Sequence, residues 1–179
     1  RKRLFVAPNT VEVAMKVFNP IEKRNSILFI GTLYFEKGLV ALLENYRQAY
    51  LIDHRIYPLI IIGDGKERLQ IENWIEDNNL GDKIFLKGAI YNENILSEYF
   101  NEAVVCISPN QAGLSVLKSF GYGVPYITMQ DAITGGERLN IKHNNNGVLY
   151  ENESDLKDIL LDILHDKQKY YEMGIRAKD

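Results

Sequence analysis

The chain of 179 residues has one cysteine, Cys106, and three histidines. A single cysteine excludes a disulfide framework and any multi-cysteine zinc site. Cys106 sits in the apolar run Ala103-Val104-Val105-Cys106-Ile107 and reads as a buried core thiol. His54, His143 and His165 stand far apart, without metal-ligand spacing, so no metal is expected. No apolar run approaches the ~18–20 residues that span a bilayer. A basic excess is also missing: 21 Lys and Arg stand against 24 Asp and Glu, a net charge of −3. That balance lacks the overall footprint of a nucleic-acid binder, and no nucleic-acid partner is expected. There is no initiator Met and no signal-peptide core, so the chain reads as a piece of a longer protein, with a cytoplasmic default compartment.

The rest of the composition is ordinary for a globular chain, with 46% apolar and 25% charged residues. The length fits one domain that needs no staple. The strongest pattern is alternation. Short apolar runs, many of them β-branched, lie at 26–31, 58–62, 84–86, 104–107, 126–129 and 148–150. They lack an in/out period, as expected for parallel strands covered on both faces. Helical stripes lie between or after them. Leu39, Leu42, Leu43, Tyr46 and Tyr50 form one; Ile71, Trp74 and Ile75 a second; Ile95, Leu96, Tyr99 and Phe100 a third. Leu156, Ile159, Leu160, Ile163 and Leu164 form the cleanest, with Ser154 as the expected N-cap. All these stripes are expected to pack as core. The repetition predicts an α/β fold with a doubly wound, Rossmann-like parallel sheet over 26–179. Residues 1–25 do not fit the repeat and read as a linker or remnant of a preceding domain. Asn144-Asn145-Asn146-Gly147 reads as the turn before the last strand.

Ligands of such sheets bind beyond the carboxyl ends of the strands. Four loops fall there. Gly31-Thr32-Leu33-Tyr34-Phe35-Glu36-Lys37-Gly38 brings a lysine near a helix start, where it can meet an anion or simply be solvated. Gly63-Asp64-Gly65 lacks the third glycine of a dinucleotide fingerprint, because Arg68 occupies that place, and reads as a tight turn. In Ser108-Pro109-Asn110-Gln111-Ala112-Gly113-Leu114-Ser115 a strand gives way to a helix. The N–H groups of Gly113, Leu114 and Ser115 would face outward there, as a cradle for phosphate or a sugar hydroxyl; Ser115 alone could also be a first-turn residue. Thr134-Gly135-Gly136-Glu137 offers close backbone approach and a carboxylate for hydroxyls, or a solvated loop carboxylate. No nucleophile–base pair can be assembled from these loops.

In this order and spacing, the loops resemble the C-terminal donor-binding domain of family-4 glycosyltransferases, one half of a GT-B fold. The family's G-R-L-x-x-x-K-G appears as Gly31-Thr32-Leu33…Lys37-Gly38, its G-x-G as Gly63-Asp64-Gly65, and its F-x-G as Phe85-Leu86…Gly88 with one residue more. Its Glu-x7-Glu stretch aligns with Asn110 to Lys118 around the Gly113-Leu114-Ser115 turn and closes at Gly123-Val124-Pro125. Its G-G-x-x-E and following G-x-L are approximated by Gly135-Gly136-Glu137 and Gly147-Val148-Leu149. Three positions depart: Thr32 stands for the motif Arg, Asn110 for the first Glu and Lys118 for the second.

The resemblance implies half of an enzyme that moves a sugar from a UDP- or GDP-sugar to a glycan or lipid-linked acceptor. Retention of configuration, no metal and no cofactor beyond the nucleotide-sugar substrate are implied with it. It further implies that Lys37 and Lys118 are the catalytic cations holding the diphosphate. Gly31, Thr32, Asn110, Gly113, Leu114, Ser115 and Glu137 would complete the donor site. An N-terminal half carrying the acceptor site is the implied partner, a hexosyl group the implied cargo, and a bacterial surface glycan the implied product. The fragment by itself is expected to lack turnover, and the full protein to sit in the cytoplasm or on the cytoplasmic face of the membrane. A GT-B nucleotide-sugar epimerase and a non-catalytic nucleotide-binding or interaction domain remain as alternatives.

Overall fold

The computed structural model describes residues 9–13 and 18–178; part of the expected 1–25 linker lies outside them. Strands and helices alternate as the apolar runs dictate. The strands are β1 (Ser26–Ile30), β2 (Leu59–Ile62), β3 (Ile84–Leu86), β4 (Ala103–Ile107), β5 (Tyr126–Met129) and β6 (Gly147–Tyr150). The helices are α1 (Leu39–Ile52), α2 (Arg68–Asp77), α3 (Glu93–Glu102), α4 (Leu114–Gly121), α5 (Asp155–His165) and α6 (Lys167–Lys178). All six strands pair in parallel in the order β3-β2-β1-β4-β5-β6. The chain reverses its winding between β1 and β4, and a crevice opens between the loops that follow those two strands.

Continuous apolar strands are needed because both faces are covered. β1 sends Ile27 and Phe29 into one cluster, with Leu39, Leu42, Ile71 and Leu156 of the α1, α2 and α5 side. It sends Leu28 into the other, with Leu96, Phe100, Val116 and Phe120 of α3 and α4. Each such fully buried side chain contributes roughly 1.5–3 kcal/mol relative to exposure. Cys106 is wholly buried in β4, and burial pushes its thiol up to about 12, so it is an inert core group. Helix α6 joins the two layers: Tyr170 and Met173 pack in the first cluster and Ala177 against the second.

Two local expectations are corrected. Ser154 occupies the N-cap position of α5 but is already in the αR conformation and makes no capping bond. Asp155 instead folds back and accepts from the Asn152 N–H at 2.9 Å. In α3, Leu96 and Phe100 are buried while Ile95 is 43% exposed. The Asn92 side chain caps α3 by accepting from the N–H groups of Asn94 and Ile95. Ile95 thus falls in the capped first turn, off the buried stripe.

The stretch before β1 is firmly held. Arg24 is 1% exposed, and among the described residues no carboxylate pairs with it. Its guanidinium donates to the carbonyls of Ala103 (2.8 Å), Tyr122 (3.4 Å) and Asn19 (3.4 Å). It also lies over the rings of Phe18 (4.5 Å) and Tyr171 (5.7 Å). Burial pulls its pKa down to about 10, so it stays charged at neutral pH.

Candidate functional site

A cleft of ≈ 520 Å³ opens at the winding reversal. Ile30, Gly31 and Thr32 from the end of β1 and Lys37 from the following turn form one wall. Gly113, Leu114, Ser115 and Lys118 of α4 form the other, and Val11 and Glu12 border it. A second pocket of ≈ 230 Å³ adjoins it, sharing Ile30, Gly31 and Thr32 and adding Ile62, Gly63, Asp64, Ala89, Ile90 and Tyr91.

The cleft floor depends on backbone contact between two turns. A Cβ on Gly63 would lie 1.8 Å from the Gly31 carbonyl oxygen, and one on Gly65 would lie 2.4 Å from that of Leu33. The Gly31 N–H donates to Ile62 and the Leu33 N–H to Asp64. Only glycines let the β1 and β2 loops pack this closely. The chain then makes a 310 turn over Phe35–Lys37 and closes it with Gly38 at φ 70°, which aims Lys37 back toward Gly31. Burial without a counter-charge lowers the Lys37 pKa, and among the described residues no carboxylate pairs with it. On the opposite wall α4 starts at Leu114 after Gly113. Among the described residues no acceptor faces the N–H groups of Gly113, Leu114 and Ser115. A half-buried ammonium and an open helix N-terminus share one cleft, an arrangement suited to a polyanion.

The other expected site residues fall differently. The Lys118 ammonium lines the cleft but lies 2.6 Å from Glu93 of α3, which also accepts from the Tyr122 hydroxyl at 2.5 Å. Asn110 is not on the cleft wall. Its amide wedges against Gly38, 2.6 Å from where a Cβ would stand, and its backbone bonds Lys37 and Ile133. Its Oδ1 is buried without a partner among the described residues. Glu137 is 7% exposed and turned into its own loop, accepting from the Gly135 N–H at 3.1 Å and from Asn9 at 2.8 Å. Its own N–H and these donors hold its carboxyl below the usual glutamate value.

Sequence reasoning missed Glu93, Val11, Glu12 and the 89–91 wall. For Glu93 a signal existed: a lysine placed on the cleft face of a helix asks for a carboxylate.

A six-stranded parallel sheet in this order, with an anion-suited cleft at the reversal, is the architecture of nucleotide-binding α/β domains. The family described as "Glycosyl transferases group 1" matches residues 11–179, and the chain belongs to that family. It is 26% identical over 180 residues to a Campylobacter jejuni GalNAc-alpha-(1->4)-GalNAc-alpha-(1->3)-diNAcBac-PP-undecaprenol alpha-1,4-N-acetyl-D-galactosaminyltransferase; the match covers 99% of this chain and 49% of that protein. Among solved structures it is similar to a point mutant of S. aureus TarM, in complex with Fondaparinux, alpha-GlcNAc-glycerol and UDP. That likeness has 25% identity and a TM-score of 0.82, over 97% of this chain and 35% of that one. The C-terminal domain of the group 1 protein LpcC from Francisella tularensis shares the fold at TM-score 0.72 and 17% identity, over 88% of this chain and 86% of that one. The chain thus spans about half the length of the Campylobacter relative and a third of the S. aureus one. Among the described residues no helix is long and apolar enough to cross a membrane.

Proposed function

We propose that this chain is the donor half of a retaining hexosyltransferase, holding a UDP- or GDP-sugar in the cleft between the β1 and β4 loops. The observation that carries the reading is the Lys37 ammonium, half-buried without a counter-ion, sharing the cleft with the open N–H groups of Gly113–Ser115. Together they offset the charge of a diphosphate and of the leaving group as the glycosidic bond breaks, the task a metal performs elsewhere. Lys118 adds less, because Glu93 shares its charge. Thr32 lines the cleft as an uncharged hydroxyl and adds no cation beside Lys37. Asn110 and Glu137 shape the adjoining turns that hold Lys37 and the α4 start.

The solved complex of the S. aureus relative with UDP makes uracil the base expected first. The acceptor is proposed to be a glycan or lipid-linked saccharide, as the name of the Campylobacter relative describes for that protein. A second half of the enzyme is proposed to cover the carboxyl edge of the sheet. Tyr34, Phe35, Tyr91, Leu114 and Ile133 are exposed along that edge, a concentration of large apolar groups suited to a covering body. Residues 1–25 would connect the halves, and nucleotide-sugar supply would place the enzyme in the cytoplasm or at its membrane face.

Titration of the chain with UDP, GDP, ADP and their sugars, followed by amide shifts, tests the reading. Saturable shifts at Lys37 and Gly113–Ser115, unchanged by EDTA, are expected for one nucleotide. No shift with any of them up to millimolar concentration overturns it.

A further inference from the structure

We propose that Glu93 is a specificity-determining residue: its fixed carboxylate, paired with Lys118 of the cleft, opposes the charge of the ligand. The cleft thereby disfavours the free nucleoside diphosphate relative to the nucleotide-sugar, and lets that product go. The inference rests on the donor-site reading and deepens it.

Lys118 is the second ammonium on the cleft wall, and its charge is matched there. The Glu93 Oε2 lies 2.6 Å from its Nζ. The two side chains are 22% and 24% exposed, so little protein separates the pair from water. Glu93 is anchored through its other oxygen. Its Oε1 accepts from the Tyr122 hydroxyl at 2.5 Å. Tyr122 is completely buried, and its ring stacks on Phe100 of α3 with centroids 4.7 Å apart. Glu93 is also the first residue of α3, where the positive end of the helix dipole favours a carboxylate. An arriving diphosphate can draw Lys118 forward on its flexible stem, but the carboxylate stays behind.

That fixed charge acts on a ligand in proportion to the ligand's own charge. Free UDP ends in a phosphate monoester. At neutral pH this carries up to about one charge more than the diester of a UDP-sugar. Glu93 therefore weighs most against the product. Glu12, at the border of the same cleft, adds a second carboxylate. Lys37 and Lys118 thus face Glu93 and Glu12, and these side-chain charges cancel. A cleft built only to trap a polyanion needs neither carboxylate. Lys37 and the open N–H groups support the departing phosphate. Glu93 limits how long it is then held, and product release sets the turnover of many enzymes.

The test is calorimetric titration of wild type, E93Q and E93D with UDP and with its β-methyl ester, which has the diester charge and no sugar. Gln and Asp each keep an acceptor for the Tyr122 hydroxyl, and thermal melting checks that each variant is folded. E93Q should bind UDP about ten-fold tighter and the ester about four-fold tighter, the scale of a unit charge acting across a water-filled cleft. E93D keeps the charge and should keep the wild-type ratio of the two affinities. An unchanged ratio in E93Q, or weaker binding of both ligands, shows a carboxylate that only ties α3 to α4 and overturns the proposal. So does an E93D ratio that moves as far as that of E93Q, or a wild-type chain that takes UDP but not the ester. A wild-type chain that binds neither ligand overturns the donor-site reading itself.

Discussion

Lys37 is the residue on which the site turns. It is a cation held half out of water with no counter-ion among the described residues, a cost that an incoming anion relieves. K37M is expected to weaken nucleoside diphosphate binding about 10- to 100-fold, the range of a lost charge-assisted hydrogen bond. K118M should cost less, because Glu93 already neutralises Lys118. Calorimetric titration of the two variants reads the difference. A pH dependence follows from the same burial. The free Lys37 pKa lies below its ordinary value of 10.5, and a bound diphosphate favours the ammonium and raises it. The ligand selects the protonated form. Affinity is therefore full below the free-state pKa and declines as pH rises through it. Binding in alkaline buffer should take up a fraction of a proton, measured as a binding enthalpy that varies with the buffer's ionisation enthalpy.

Elements were more legible than their contacts. The apolar runs and stripes located β1 to β6 and the buried faces of α1, α2 and α5, because burial on both sides of a parallel sheet leaves a pattern in every strand. The glycine-bearing loops showed which residues meet at the reversal: Gly31, Thr32, Lys37, Gly113, Leu114, Ser115 and Lys118 do line one cleft. What a local pattern cannot carry is which partner fills a lone pair. Glu137 is taken up by Asn9, 128 positions away, and Lys118 by Glu93, 25 positions away. Asn110 turned against Gly38 because the 35–38 turn fits under it. The glycine pairing between the β1 and β2 loops gives a sharp prediction at this scale. G63A drives a methyl into the Gly31 carbonyl and should destabilise the chain by about 3 kcal/mol or more, within the range of severe single substitutions. Urea unfolding measures it, and the surviving folded protein should bind nucleotide weakly, since Gly31 and Thr32 must shift.

At the scale of the molecule, the two helical layers are joined by α6 and by Arg24. The guanidinium links the residues before β1, the start of β4, the end of α4 and the ring of Tyr171 in α6. R24M keeps much of the apolar stem but leaves buried carbonyls unpaired. A loss on the order of 3 kcal/mol is expected, from unsatisfied acceptors at about 1–3 kcal/mol each. Its measurement is the urea midpoint, with nucleotide affinity at low urea little changed, because Arg24 lies away from the cleft lining. The rivet also sets a load path. A pull on the backbone at Phe18 meets the guanidinium before it meets the hydrogen bonds of β1, and the strain spreads into α4, β4 and α6 at once. Both helical layers share that load, and the sheet between them behaves as a stiff plate that does not peel.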